Sequence, residues 1–122
     1  MPTINEVIKR VKRTKPNVID EKDQSLWLLA LDGRIYEEVT KADEPETLPV
    51  KSWPDDGDKP LLAKTPYDGI YDLYLTAMIF FTLREYADYN NVMDQFERTF
   101  KDFRAWWRRN HVPPSSHIVL EV

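Results

Sequence analysis

The 122-residue sequence predicts an all-α protein, a small bundle of about four helices, from three observations. Apolar residues recur at intervals of three and four along four separate segments, which is the period of a helix. Twelve of the 15 aromatic residues lie between Tyr67 and Val112. Within that stretch Gly69 is the only glycine or proline. We therefore expect two long apolar helices there, over about residues 66–88 and 91–110, packed as an antiparallel hairpin.

The first helix is predicted from Ile4 to about Arg13. Thr3 and Glu6 have the spacing of a capping box, and an apolar face with helical period follows. The opposite face is basic and consists of Lys9, Arg10, Lys12 and Arg13. Such a face is suited to phosphates or to an acidic neighbour, but cations near a helix C-terminus also stabilise the helix itself. We favour the second interpretation and keep these four residues as candidate partner-binding residues.

A second helix is predicted to begin after Asp20, whose side chain can cap it, while Pro16 ends the helix before it. Its apolar face keeps helical spacing and consists of Leu28, Leu31, Ile35 and Val39. We expect the helix to continue through Gly33, at a cost of about 1 kcal/mol relative to alanine. A turn at residues 32–33 is the alternative.

Residues 41–65 break the helical pattern and form a predicted proline-rich loop. Its four prolines are Pro45, Pro49, Pro54 and Pro60. A loop of this length is unusual in a compact domain and is more often functional than accidental. Trp53, near its middle, is suited to anchor the loop on a partner protein. The interpretation we favour is that Trp53 holds the loop on its own core.

The third helix is predicted to start with Thr65 as N-cap, Pro66 as the first helical residue and Asp68 in the first turn. It continues to about Ala87 and is apolar on nearly every side. Because a surface helix has a polar half, we expect this one to be central, covered by its own chain or by neighbouring copies. Residues 88–91 favour a turn, and one unbroken helix through them is the alternative.

The fourth helix has a single apolar seam, formed by Met93, Phe96, Phe100, Phe103 and Trp107. Its last turns hold Arg104, Arg108 and Arg109, cations suited to the negative end of a helix, before two prolines stop it. We keep Trp106, Arg108 and Arg109 as candidate partner-binding residues.

Residues 1–111 are thus predicted to form a single helical domain, followed by an extended C-terminal arm at 112–122. The arm contains a short, apolar, β-prone run in which Ile118, Val119 and Leu120 are candidate partner-binding residues. It is interpreted either as a docking arm that adds a strand to, or threads along, a neighbouring subunit, or as a frayed terminus.

The composition limits the possible function classes. A net charge of -4 argues against a protein that mainly holds phosphates on a basic face. The lack of cysteine excludes disulfides and thiolate metal sites. The longest apolar runs fall far short of the roughly 20 residues of a membrane-spanning helix. We expect a soluble protein made and kept inside a cell, with no membrane partner.

The residues predict no catalytic, cofactor or metal site. The three glycines are isolated, so a glycine-rich phosphate loop is absent from the sequence. His111 and His117 are separated by two prolines and have no cysteine nearby. The acids Asp55, Asp56 and Asp58 lack the rest of an EF-hand spacing. We therefore expect that the protein is not an enzyme.

Three further segments are distinctive. They are Leu-Asp-Gly-Arg-Ile-Tyr-Glu-Glu-Val at 31–39, Pro-Tyr-Asp-Gly-Ile-Tyr-Asp-Leu-Tyr-Leu at 66–75, and Tyr-Asn-Asn at 89–91 followed by Phe96, Phe100, Phe103, Trp107, Asn110 and His111. Together they resemble the head-tail connector (head completion, adaptor) proteins of tailed phages and prophages. The resemblance runs from about Asp20 to His111, and its motifs are structural rather than catalytic.

This resemblance implies an all-helical subunit that forms a ring, commonly of about twelve copies, beneath the portal of a DNA-filled capsid. The ring would extend the DNA channel and provide the docking platform for a stopper or tail-completion protein. DNA would pass through without specific binding, and the protein would reside in the virion neck after synthesis in the bacterial host cytoplasm. From the residues alone, the alternative is a small nucleic-acid-binding or regulatory protein that uses the basic N-terminal helix.

Overall fold

A computed structural model describes residues 2–111 and is all-helical, as predicted. The predicted arm at 112–122, with Ile118, Val119 and Leu120, lies outside the described residues. The helices are α1 (Ile4–Thr14), α2 (Glu21–Ile35), α3 (Ile70–Thr82) and α4 (Tyr86–Asn110), and a π-helical segment, Tyr36–Thr40, extends α2. Within residues 2–111 the only β pairing is an isolated bridge between Thr3 and Pro60.

The beginnings of α1 and α2 follow from local capping. The hydroxyl of Thr3 accepts a hydrogen bond from the backbone N–H of Glu6 at 3.2 Å, and Asp20 accepts one from Lys22 at 3.0 Å. Each bond satisfies a donor that the first turn of a helix leaves free. The predicted apolar faces of both helices are buried. The helix also continues through Gly33, so the alternative of a turn there is wrong.

The predicted boundaries of the third helix were wrong at both ends. α3 begins at Ile70, because residues 64–69 form turns in which Tyr67 donates to the carbonyl of Lys64. It ends at Thr82 in a Schellman motif, with Arg84 in the left-handed region at φ 62°. There Glu85 donates to the carbonyl of Phe80, and Arg84 to that of Phe81. The predicted turn at 88–91 is therefore inside α4.

Side-chain pairs give the directions of α1 and α3. Arg10 pairs with Asp72 near the start of α3, and Lys15 pairs with Glu85 beyond its end. Both helices therefore run the same way, and the connection from α1 to α2 lies beside the turn between α3 and α4.

α4 runs antiparallel to α3, since the order of their aromatic contacts is reversed: Phe81 with Tyr86, Tyr74 with Phe96, and Tyr67 with Phe103. α2 and its π-helical extension run along α4, because Arg34 meets Glu97 and Glu38 meets Arg104. The result is an up-down-up-down bundle with the long 41–69 connection at one end.

α3 occupies the centre, as predicted, and its own chain covers it except at its C-terminal turn, where Phe81 is 48% exposed. It packs against α1, α2 and α4, and Ile70, Tyr71, Leu75, Ala77 and Ile79 are buried. The long connection adds Val50, Leu61, Leu62 and Ala63 to the same core. Among residues 2–111, none of the helices has the length and apolar character needed to cross a bilayer.

Candidate functional site

A concave feature lies between the 41–65 loop and the last turns of α4, and we call it the loop groove. It has a volume of about 750 Å³. Its floor is aromatic and consists of Phe103, Trp106 and Trp107. Its walls include Leu48, Val50, Leu61 and Leu62 from the loop. Thr40 and His111 also line the groove.

The floor is held in place by polar contacts to the turn after the π-helical segment. Trp107 donates from Nε1 to the carboxylate of Asp43 at 2.7 Å. The ring of His111 stacks on Trp107, with 3.9 Å between centroids, and its Nε2 lies 3.4 Å from a carboxylate oxygen of Glu44. Trp106, by contrast, is half-buried and presents part of its ring to the groove.

The loop wall is tied to the core by a buried carboxylate. Asp32 on α2 accepts from the backbone N–H of Leu62 at 3.0 Å and from that of Val50 at 3.2 Å. It also accepts from the hydroxyl of Tyr71 at 2.7 Å, and this hydroxyl in turn accepts from Ala63 N–H at 2.7 Å. Three backbone donors of the loop are therefore satisfied by two side chains of the helical core.

Burial dominates the electrostatics of this network. It raises the pKa of Asp32 above the ordinary value of 3.8, against the lowering effect of the hydrogen bonds from Leu62, Tyr71 and Val50. Burial, together with the nearby carboxylate, also raises the pKa of Tyr71 well above its ordinary value. These two groups form a structural clamp, since neither faces solvent.

One polar atom in the groove lining has no partner. The hydroxyl of Thr40 is buried and makes no hydrogen bond to any described residue. An unpaired buried hydroxyl costs about 1–3 kcal/mol. The rim beyond it carries Lys51, Lys59 and Lys64, of which Lys59 pairs with Asp56 at 2.9 Å.

The structure separates the candidate basic residues of α1. Arg10 is turned towards α3, where its guanidinium makes two hydrogen bonds to Asp72, at 2.8 and 3.0 Å. The hydrogen bonding to Asp72 raises the pKa of Arg10. Lys9, Lys12 and Arg13 remain together on a shallow cleft of about 470 Å³.

The other candidates lie in three places. Trp53 packs against the core and donates from Nε1 to Asn5 at 3.0 Å, which matches the favoured interpretation that it holds its own loop. Arg109 is exposed near the end of α4. Arg108 lines a second basic surface on α4 with Arg98, Lys101 and Arg104.

The sequence reasoning missed Asp32 and Thr40 as parts of a site. A signal for Asp32 was present, because it falls on the apolar face of α2, four residues after Leu28 and three before Ile35. An acid at such a position indicates a buried partner. In the described part of the chain, no three His, Cys, Asp or Glu side chains converge as metal ligands would.

Comparison with protein-family models, with curated proteins and with solved structures found no match for this chain.

Proposed function

We propose that this protein is a structural subunit of a tailed-phage neck, a head-tail connector that assembles into a ring beneath the portal. In this proposal the ring extends the DNA channel and is the docking platform for a stopper or tail-completion protein. The observation that carries the proposal is an apolar surface at one end of the bundle.

We call this surface the turn end. Six large hydrophobic side chains are exposed in the described part of the chain, and three of them, Phe81, Leu83 and Tyr86, lie at the turn between α3 and α4. A fourth, Val18, belongs to the α1–α2 connection, which the Lys15–Glu85 pair places beside this turn. Grouped exposed apolar side chains are typical of protein–protein contact surfaces, whereas single ones are normal on any protein.

The turn end is also preorganised. The ring of Phe81 contacts that of Tyr86 at 5.6 Å and that of Tyr89 at 5.1 Å between centroids. Lys15 lies over the ring of Phe80 and pairs with Glu85, which joins the α1–α2 connection to this end. A rigid aromatic surface loses little conformational entropy on binding, so its burial contributes more of its free energy to assembly.

The opposite end of the molecule has a different shape and chemistry, since it carries the loop groove. A subunit whose two ends differ is suited to heterologous contacts, in which one surface binds another surface of the next copy. Contacts of this kind generate a closed ring when the rotation that relates neighbouring copies returns to the first copy after a whole number of subunits. They therefore support a ring more than an isologous dimer.

The experiment is to measure assembly of the purified protein, alone and with its portal protein, by sedimentation and electron microscopy. We expect rings with wild type, and loss of rings with Phe81→Asp at an unchanged circular dichroism spectrum, because Phe81 is 48% exposed. Gln95→Asp is the control, since Gln95 is exposed in the middle of α4, between the turn end and the loop groove. Only monomers, with no portal binding, would contradict the proposal.

A second candidate, a small nucleic-acid-binding protein, is favoured by the cleft of Lys9, Lys12 and Arg13. It predicts DNA affinity that falls steeply with salt. Replacing these three residues by alanine then abolishes binding. Wild-type protein that fails to bind DNA at low salt excludes this candidate.

A further inference from the structure

A line of cations runs along the outer face of α4, and we call it the α4 basic surface. It consists of Arg98, Lys101, Arg104 and Arg108, which line a cleft of about 510 Å³. Their spacing of three, three and four residues places these side chains on successive turns of one side of the helix. From the first to the last they span about 15 Å along the helix axis.

Two of these cations have no carboxylate partner in the described part of the chain. Lys101 and Arg108 are exposed and make no ion pair with any of residues 2–111. Arg98 pairs with Asp94, but both side chains are 71% exposed, and a pair so open to solvent contributes little stability. Three of the four cations can therefore take an anionic partner at little cost.

The acids nearest to this surface are already held by an arginine of α2. Arg34 pairs with Glu38 at 2.7 Å and lies 3.8 Å from Glu97, the acid that lines the cleft. Arg104 lies 3.8 Å from the other carboxylate oxygen of Glu38. With Arg34 included, five cations face three acids, which are Glu38, Asp94 and Glu97. The surface is therefore locally positive, although the whole chain has a net charge of -4.

The chemistry of the α4 basic surface suits phosphates better than a protein partner. Three of its four cations are arginines, whose planar guanidinium groups bind phosphate oxygens through two hydrogen bonds at once. None of the large hydrophobic side chains exposed within residues 2–111 lies on it, whereas protein–protein interfaces have an apolar centre. Ala105, exposed between the cations, leaves room for a close approach.

The geometry favours a duplex over a single strand. Proteins that bind single-stranded nucleic acid stack its bases on aromatic side chains, and the described lining of this cleft contains no aromatic residue. The cations lie instead along one side of a helix. Their span of about 15 Å equals the rise over about four phosphate steps of one DNA strand, at about 3.4 Å each.

We propose that the α4 basic surface binds the phosphate backbone of double-stranded DNA without reading its sequence. The inference rests on the proposed function for its biological setting, because it assigns this side of α4 to the wall of the DNA channel in the ring. Each subunit makes only a few phosphate contacts, so the contact is weak and depends on salt. DNA held in this way remains free to slide.

The test measures binding of purified full-length protein to a short, fluorescently labelled DNA duplex by anisotropy, at a series of salt concentrations. The double variant Lys101→Gln, Arg108→Gln removes two cations without breaking an ion pair among the described residues, and glutamine has a similar helix propensity. We expect this variant to bind DNA at least about tenfold more weakly at low salt. The slope of log affinity against log salt should become shallower by about 2.

The matched control removes the same charge from another helix. Lys9→Gln, Lys12→Gln changes the cleft on α1, which packs on α2 and α3 but not on α4. This variant should bind DNA within about twofold of wild type, because distant surface charges are screened. Loss of affinity here, and not in the α4 variant, would overturn the inference in favour of the second candidate function. Equal losses in both variants would show that only net charge matters, which also overturns it.

Two further results separate this inference from the proposed function. Wild-type protein that binds no DNA at low salt overturns the inference, but it leaves ring assembly, which is measured without DNA, unaffected. The α4 variant should still form rings as wild type does. If it loses them, the surface is a contact between proteins and the inference is wrong. Wild type that binds DNA through α4 but forms no ring, alone or with the portal, would support the DNA contact and contradict the proposed function.

Discussion

The hydroxyl of Tyr71 lies 2.7 Å from a carboxylate oxygen of Asp32, and both side chains are fully buried. The two residues are 39 positions apart and join α3 to α2. Through Val50, Leu62 and Ala63 they also hold the long loop against the helices. The loop wall of the groove is therefore tied to the helical core.

Tyr71→Phe is expected to destabilise the protein by about 2–3 kcal/mol, because it removes two buried hydrogen bonds and leaves Ala63 N–H unpaired. The measurement is urea denaturation followed by circular dichroism. Tyr74→Phe is the matched control on the same helix, since Tyr74 is half-buried and its hydroxyl accepts no backbone N–H within the described residues. Equal losses for both variants would contradict the role of the clamp.

Asp32 is expected to make stability depend on pH in a defined direction. Its pKa is raised above 3.8 by burial, so the folded state holds the proton more tightly than the unfolded state does. The contribution of Asp32 to stability is fully present below pH 3.8 and is lost as pH rises through its raised pKa. As the pH rises, the free energy of unfolding of the wild type should thus fall relative to that of the Asp32→Asn variant.

Asp32→Asn should itself be less stable at every pH, because its amide N–H₂ group cannot accept from Val50 N–H. Both proteins retain all other carboxylates, so their difference in stability isolates the titration of Asp32. A difference that is flat, or that grows in favour of wild type as pH rises, would mean that the hydrogen bonds outweigh burial.

Replacement by alanine is expected to have opposite effects on stability at two of the glycines, Gly57 and Gly33. A Cβ at Gly57 would lie 2.6 Å from the side chain of Asn5, which holds Trp53 and Asp58 by hydrogen bonds. Gly57→Ala should therefore destabilise by about 1–2 kcal/mol. A Cβ at Gly33 meets nothing within 4 Å, so Gly33→Ala should stabilise by about 0.5–1 kcal/mol. Thermal melts that reverse this order would contradict the packing of the loop on α1.

The substitution Arg84→Gly is expected to stabilise the protein. The φ of 62° at Arg84 costs a non-glycine residue about 1–2 kcal/mol, and glycine removes most of this cost while adding some entropy to the unfolded chain. The expected net gain is about 0.5 kcal/mol. Ala105→Gly, at an exposed interior position of α4, should instead lose about 1 kcal/mol, and denaturation of both variants checks the difference.

The sequence predicted α1 and α2 well because their signals are local. Thr3, Glu6 and Asp20 act within one turn of the residues that they cap, and the apolar spacing continues through Gly33. The end of α3 was missed for a related reason. Residues 88–91 favour turns, but the Schellman motif ends α3 earlier. The left-handed position of this motif is occupied by Arg84 and not by glycine, so the sequence carries no signal for it there.

By itself, the sequence determined that the chain is helical, where its first two helices begin, and that its third helix is central. Only the tertiary structure decided that α3 is covered by its own chain, that exposed apolar residues gather at the turn end, and that Asp32 shapes a groove. The physical reason is range: capping and periodicity act over a few residues, whereas burial and hydrogen bonding between Asp32 and the loop join positions up to 30 residues apart.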